Sequence, residues 1–81
     1  MSGGGRRPDA EKNLVGTGCP MNLVYAKFEL AKLEQGKILR LIIDDGAPVD
    51  NVSRSLAGEG HLIMEREQLA DGTWSLLIRK G

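Results

Sequence analysis

Lys37-Ile38-Leu39-Arg40-Leu41-Ile42-Ile43-Asp44 is the stretch on which the fold turns. Its apolar, partly β-branched residues favour a strand. Both faces are apolar except at Arg40, which marks a central strand with neighbours on each side. Behind it, Asp44-Asp45-Gly46-Ala47-Pro48 reads as a turn. Ahead of it, Gly36 ends a helix that opens at Pro20, a residue suited to the first helical position. Leu23, Val24, Ala26, Phe28, Leu30, Ala31 and Leu33 fall on one broad arc of that helix, with Tyr25, Glu29 and Lys32 opposite. Further upstream, Asn13-Leu14-Val15 reads as a brief strand entering a glycine turn. Downstream, a short helix is expected over 50–57, with Asp50 as N-cap, Val52 and Leu56 as its apolar stripe and Gly58 or Gly60 as its stop. A strand over 61–69, an Asp71-Gly72 hairpin signal and a strand over 73–80, with Trp74, Leu76 and Ile78 on one face, complete the chain. The order is βαβαββ. The expected architecture is α/β (α+β): a two-layer sandwich with two helices on one face of a four-stranded sheet.

At 81 residues and 8.8 kDa there is room for one domain with one modest core. A multidomain enzyme and a dinucleotide-binding module are excluded by size. Lys+Arg and Asp+Glu balance at 11 each, so there is no basic excess to argue for nucleic acid. The domain is expected over 13–81, preceded by a flexible arm at 1–12 that contains a glycine run and Arg6-Arg7. That arm has no apolar stretch of the kind a signal peptide needs, and no run approaches the roughly 20 apolar residues of a membrane span. Cys19 is the one cysteine, pointing to a reducing, cytoplasmic setting. With His61 as the one histidine, no zinc site forms within a single chain, and neither a metal nor a cofactor is expected. Asp44 and Asp45 read as a solvated turn rather than a metal pair.

Chemistry concentrates at Gly16-Thr17-Gly18-Cys19-Pro20, which places a thiol where a glycine turn meets a helix N-terminus. First-turn N–H groups lack partners inside the helix and carry the positive end of its dipole, which favours a thiolate. Gly16 and Gly18 add no side chains and leave room for an approaching sulfur, and Pro20 shapes the loop. Against this, a lone cysteine is most often a small buried hydrophobe. A hydrolase cysteine needs a base, and His61, at the start of the third strand, reads as an exposed edge residue. A thiolate without a base can still accept and hand on sulfur. Lys27 falls inside the apolar arc, either as a cation facing the thiolate or an acidic partner, or as a lysine whose stem packs while its ammonium reaches water.

The sequence resembles the small TusA-like or SirA-like sulfur-carrier family over about residues 13–81. The resemblance lies in Gly16 three residues before Cys19-Pro20-Met21-Asn22, in Leu39 to Asp45, in Gly60-His61 and in Leu77-Ile78-Arg79-Lys80. It implies a mixed sheet, in a sandwich similar to the C-terminal domain of translation initiation factor 3. It also implies a persulfide on Cys19, taken from a cysteine desulfurase or rhodanese-type donor and passed to an acceptor protein. The resemblance gives Lys27 a basic position of the family. Two departures stand out: Asn22 replaces the family's second proline, and Asn13 its aspartate. Asn22 thereby frees a first-turn N–H as a donor towards the thiolate. Met21, Leu23 and Val24 would form a docking rim.

Two other readings stay open. One is a non-catalytic interaction or regulatory module using the same surface. The other is RNA binding, against which stand the even charge and 4% aromatic content. Ile38 and Ile42 leave a sheet face partly open, suited to a partner or a weak dimer.

Overall fold

The computed structural model describes residues 7–81. Its elements are β1 (Ala10–Asn13), α1 (Met21–Ala31), β2 (Ile38–Ile43), α2 (Ala47–Gly58), β3 (Leu62–Gln68) and β4 (Trp74–Arg79). The sheet order is β1-β2-β4-β3. β1 runs parallel to β2, and β4 is antiparallel to both β2 and β3, so the sheet is mixed. The four-stranded, two-helix sandwich is the expected one. α1 lies over β1 and β2, while α2 packs against α1 and β3.

β2 is central, and its burial alternates. Leu39, Leu41 and Ile43 are fully buried beneath the helices, while Ile38, Arg40 and Ile42 are only partly covered on the other face. Leu76 and Ile78 of β4 pair with Leu41 and Leu39 on the core side. Ala26, Leu30, Val49, Val52 and Leu56 close the core from above. On the uncovered face, Arg40 Nε donates to Ser75 Oγ at 2.9 Å.

Three elements have boundaries that differ from expectation. The first strand lies at Ala10–Asn13, not 13–15, so residues 10–12 of the expected arm belong to the sheet; its first six residues lie outside those described. Ala-Glu-Lys-Asn carries no apolar strand pattern, and its pairing is supplied by the backbone edge of β2. α2 starts at Ala47, three residues before the expected cap, because Gly46 takes the cap position and Pro48 sits in the first turn, where it has no N–H to lose. In α1, Pro20 is the N-cap rather than the first helical residue, and the helix ends at Ala31 with Lys32 as its C-cap, before the expected stop at Gly36. The α1 arc also divides: Ala26 and Leu30 are buried and Leu23 and Leu33 pack against the core, but Val24 and Phe28 face solvent. A helix lying on a sheet buries a stripe, not most of its circumference.

The sheet has two poles. Asn13, Ile43 and Trp74 mark one; Ile38, Leu62 and Arg79 mark the other. Asp9 sits at the second pole, where its N–H donates to the Ile38 carbonyl at 2.7 Å and its carboxylate accepts from the Ile38 N–H at 2.8 Å. Gly81 lies there too, its N–H donating to His61 Nδ1 at 3.1 Å. No described helix is long and apolar enough to cross a membrane.

Candidate functional site

The loop from β1 to α1 is fastened at each step. Leu14 is buried and continues the parallel pairing, its N–H donating to the Ile42 carbonyl at 2.7 Å. Asn13 Oδ1 accepts from the Val15 N–H at 2.9 Å, the local turn contact that Asn and Asp both make. The Thr17 N–H donates to the Leu14 carbonyl at 3.0 Å and closes a tight turn. Gly16 occupies its third position at φ +82°, a conformation open to glycine. The Gly16 N–H donates to Asp44 Oδ2 at 2.7 Å, hanging the turn from the end of β2.

On the far side of the cysteine, the Gly18 carbonyl accepts from the Asn22 N–H at 3.0 Å, and the Pro20 carbonyl accepts from Leu23 and Val24 at 3.1 Å each. Cys19 stands exposed between these two sets of ties, joined to Pro20 through a cis peptide bond. The helix start is therefore less open than expected. The N–H groups of Asn22, Leu23 and Val24 are already engaged, whereas that of Met21 has no acceptor among the described residues.

Asn22 does not supply the donor anticipated from the lost proline. Its N–H is spent on Gly18, and its side chain is 1% exposed, with Oδ1 accepting from the Leu23 N–H at 2.7 Å. Nδ2 is buried with no partner among the described residues. Gly18 has neither a positive φ nor a close neighbour, so of these two loop glycines only Gly16 needs to be glycine. Met21 is half-exposed, two residues from Cys19. Lys27 forms an ion pair with Glu59, just past the end of α2, and so engages the neighbouring helix. His61 lies at the pole opposite Cys19, which leaves no Cys–His pair. A depression of about 490 Å³ lined by Gln35, Gly36, Leu62, Arg79 and Gly81 is also at that opposite pole.

Both turn carboxylates do structural work. Asp44 ties the cysteine loop, and Asp45 Oδ1 accepts from Trp74 Nε1 at 2.7 Å. Asp44 is the positioning residue that reading the sequence missed. An acid ending a central strand is the one signal for it, and that signal acquires meaning only once β1 is known to run parallel to β2.

The sequence profile of the family described as sulfurtransferase TusA matches residues 10–80. The chain belongs to the TusA family. A relative from Archaeoglobus fulgidus, described as a candidate sulfur carrier protein, is 38% identical over 68 residues, covering 84% of this chain and 77% of the relative. The candidate sulfur carrier TsuB of Escherichia coli is 32% identical over 62 residues, covering 76% of this chain and 83% of TsuB. The crystal structure of a SirA-like protein from Desulfitobacterium hafniense superposes with a TM-score of 0.78 at 25% identity, covering 89% of this chain and 97% of that one. TusA membership supports a role in sulfur relay between proteins, and the expected resemblance to the TusA-like and SirA-like proteins stands.

Proposed function

We propose that Cys19 carries sulfur as a persulfide. The observation that carries this reading is an exposed thiol on a loop fastened on both sides, with His61 at the opposite pole of the sheet. Such a site suits exchange with another protein's sulfur rather than hydrolysis. The Cys19 thiolate attacks the outer sulfur of a donor persulfide. A new S–S bond forms at Cys19 Sγ as the donor's S–S bond breaks, and the donor leaves as a thiolate. The reverse polarity, with an acceptor thiolate attacking the outer sulfur on Cys19, unloads it. Neither step changes the net oxidation state. The donor is a cysteine desulfurase or a rhodanese-type protein, and the acceptor is a second protein thiol. The Met21 N–H, which has no acceptor among the described residues, donates towards the sulfur, and Asp44 holds the loop that presents it.

Intact mass tests this. Incubation with a desulfurase and cysteine, or with a rhodanese and thiosulfate, adds about 32 Da, the mass of one sulfur, as the first rung of cysteine's reversible modifications. Reductant removes it and Cys19→Ser abolishes it. An unchanged mass with both donors refutes the carrier reading and leaves an interaction module.

A further inference from the structure

α1 is apolar on two faces. One is buried in the core through Ala26 and Leu30. The other points to solvent: Met21, Val24, Tyr25 and Phe28 are 44%, 49%, 41% and 61% exposed. These four stand at i, i+3, i+4 and i+7 and so form a continuous ridge, roughly 10 Å long at 1.5 Å per residue. Val15, also exposed, lies four residues before Cys19 on the same loop. Of the large apolar side chains exposed among the described residues, only Leu62 lies elsewhere. A surface helix ordinarily shows water a polar face, and a contiguous exposed apolar patch marks an interaction site.

The ridge has a basic frame. Lys12 Nζ lies 5.6 Å from the Tyr25 ring centre on one flank, and Lys32 Nζ lies 4.8 Å from the Phe28 ring centre at the far end. Lys27 stands on the flank towards α2. Lys27 and Lys32 hold exposed pairs with Glu59 and Glu29, while Lys12 has no carboxylate within ion-pair distance among the described residues. Exposed pairs of this kind are weak and readily exchanged for a partner's carboxylate.

We propose that this ridge is the docking element for the protein that exchanges sulfur with Cys19, and that this partner presents an apolar depression rimmed by carboxylates. The proposal rests on the persulfide-carrier reading. Its occupant follows from continuity: sulfur exchange brings the partner's sulfur to within S–S bonding distance of Cys19, about 2 Å. A protein that close must cover Val15 and Met21, and the apolar surface beyond them runs unbroken to Phe28. Tyr25 and Phe28 supply the kind of rigid aromatic anchor that dominates interfaces.

The test compares Phe28→Glu, Val24→Glu and Lys12→Glu with Leu62→Glu, a control on the other exposed apolar side chain. Each variant of the full chain is loaded by whichever protein donor, desulfurase with cysteine or rhodanese with thiosulfate, loads the wild type. The rate of single-sulfur mass gain is followed against carrier concentration. Each variant is also loaded from inorganic polysulfide, where the Cys19 thiolate displaces a shorter polysulfide and no docking is needed. Phe28→Glu and Val24→Glu are expected to raise the half-saturating concentration on the order of 30-fold, the scale of an interface anchor. Lys12→Glu raises it several-fold and flattens its salt dependence. Polysulfide loading and thermal midpoint stay at wild-type values, and Leu62→Glu behaves as wild type throughout. Wild-type kinetics for Phe28→Glu and Val24→Glu with the protein donor overturn the ridge. So does a wild-type dimer that Phe28→Glu splits, since the ridge would then be covered by a second copy. A wild type that gains no sulfur from any source overturns the carrier reading itself.

Discussion

Removing the Asp44 carboxylate is expected to loosen the cysteine loop without disturbing the core. Asp44→Ala deletes one hydrogen bond, the 2.7 Å contact from the Gly16 N–H to Oδ2. Hydrogen bonds to charged groups contribute about 1.5–3 kcal/mol. This one faces solvent at the rim of the sheet, so water replaces part of it and about 1 kcal/mol is a fair discount. That corresponds to roughly a fivefold change in a local equilibrium, or about 4–8 °C in the midpoint of a domain this small. The most direct assay is amide hydrogen exchange at Gly16, read by NMR. Its exchange should accelerate about fivefold in the variant, whereas amides of β2 change only with global stability. Asp44→Asn keeps an oxygen acceptor and should fall between. Sulfur loading of Cys19 should slow by a similar factor. A Gly16 amide that exchanges at the wild-type rate in Asp44→Ala would refute the reasoning, because the turn would then be holding its own shape.

The remaining predictions concern the loop, the core and the hairpin. Gly16→Ala should cost about 1–2 kcal/mol in a denaturant melt, since its φ is +82° while no atom lies within 4 Å of the added carbon. Gly18→Ala, with open space and no positive φ, should fall within about 0.5 kcal/mol of wild type in the same melt. Leu41→Ala empties a fully buried site on the central strand and should cost about 2–5 kcal/mol, lowering the thermal midpoint by about 10 °C or more. The Asp71 carboxyl is held below the usual carboxylate range, first by the Thr73 hydroxyl at 2.6 Å and then by the Thr73 N–H at 3.0 Å. A lowered folded-state value means that this contact stabilises the fold above the ordinary carboxylate pKa and is lost as pH falls through the lowered one. Thr73→Val should therefore raise the Asp71 midpoint in an NMR titration, and an unmoved midpoint would contradict the assignment.

Much of the fold was legible in residues 37–44, because a strand apolar on both faces can sit only inside a sheet. The hairpin was equally plain from Asp71-Gly72 and the alternation of Trp74, Leu76 and Ile78. β1 was harder. An edge strand of Ala-Glu-Lys-Asn is held by its backbone, and backbone pairing leaves little mark on side-chain choice. α1 misled for a different reason. Two apolar stripes on one helix merge into a single broad arc when only composition and period are read. At the site, Cys19 announced itself through its glycines and proline. Asp44 did not, because its contact with Gly16 spans 28 positions and exists only once β1 and β2 lie side by side. In sequence Asn22 reads as a gained backbone donor, but the helix start uses that N–H internally and folds the side chain inward.

The two poles of the sheet have a practical consequence. Asp9 and Gly81 both lie at the end away from Cys19. A neighbouring domain, an affinity handle or a solid support attached at Gly81 starts at the end of the sheet opposite the thiol. The reactive end can therefore be held out to a large protein while the other end is anchored. Fusion or immobilisation through Gly81 should leave sulfur exchange unhindered.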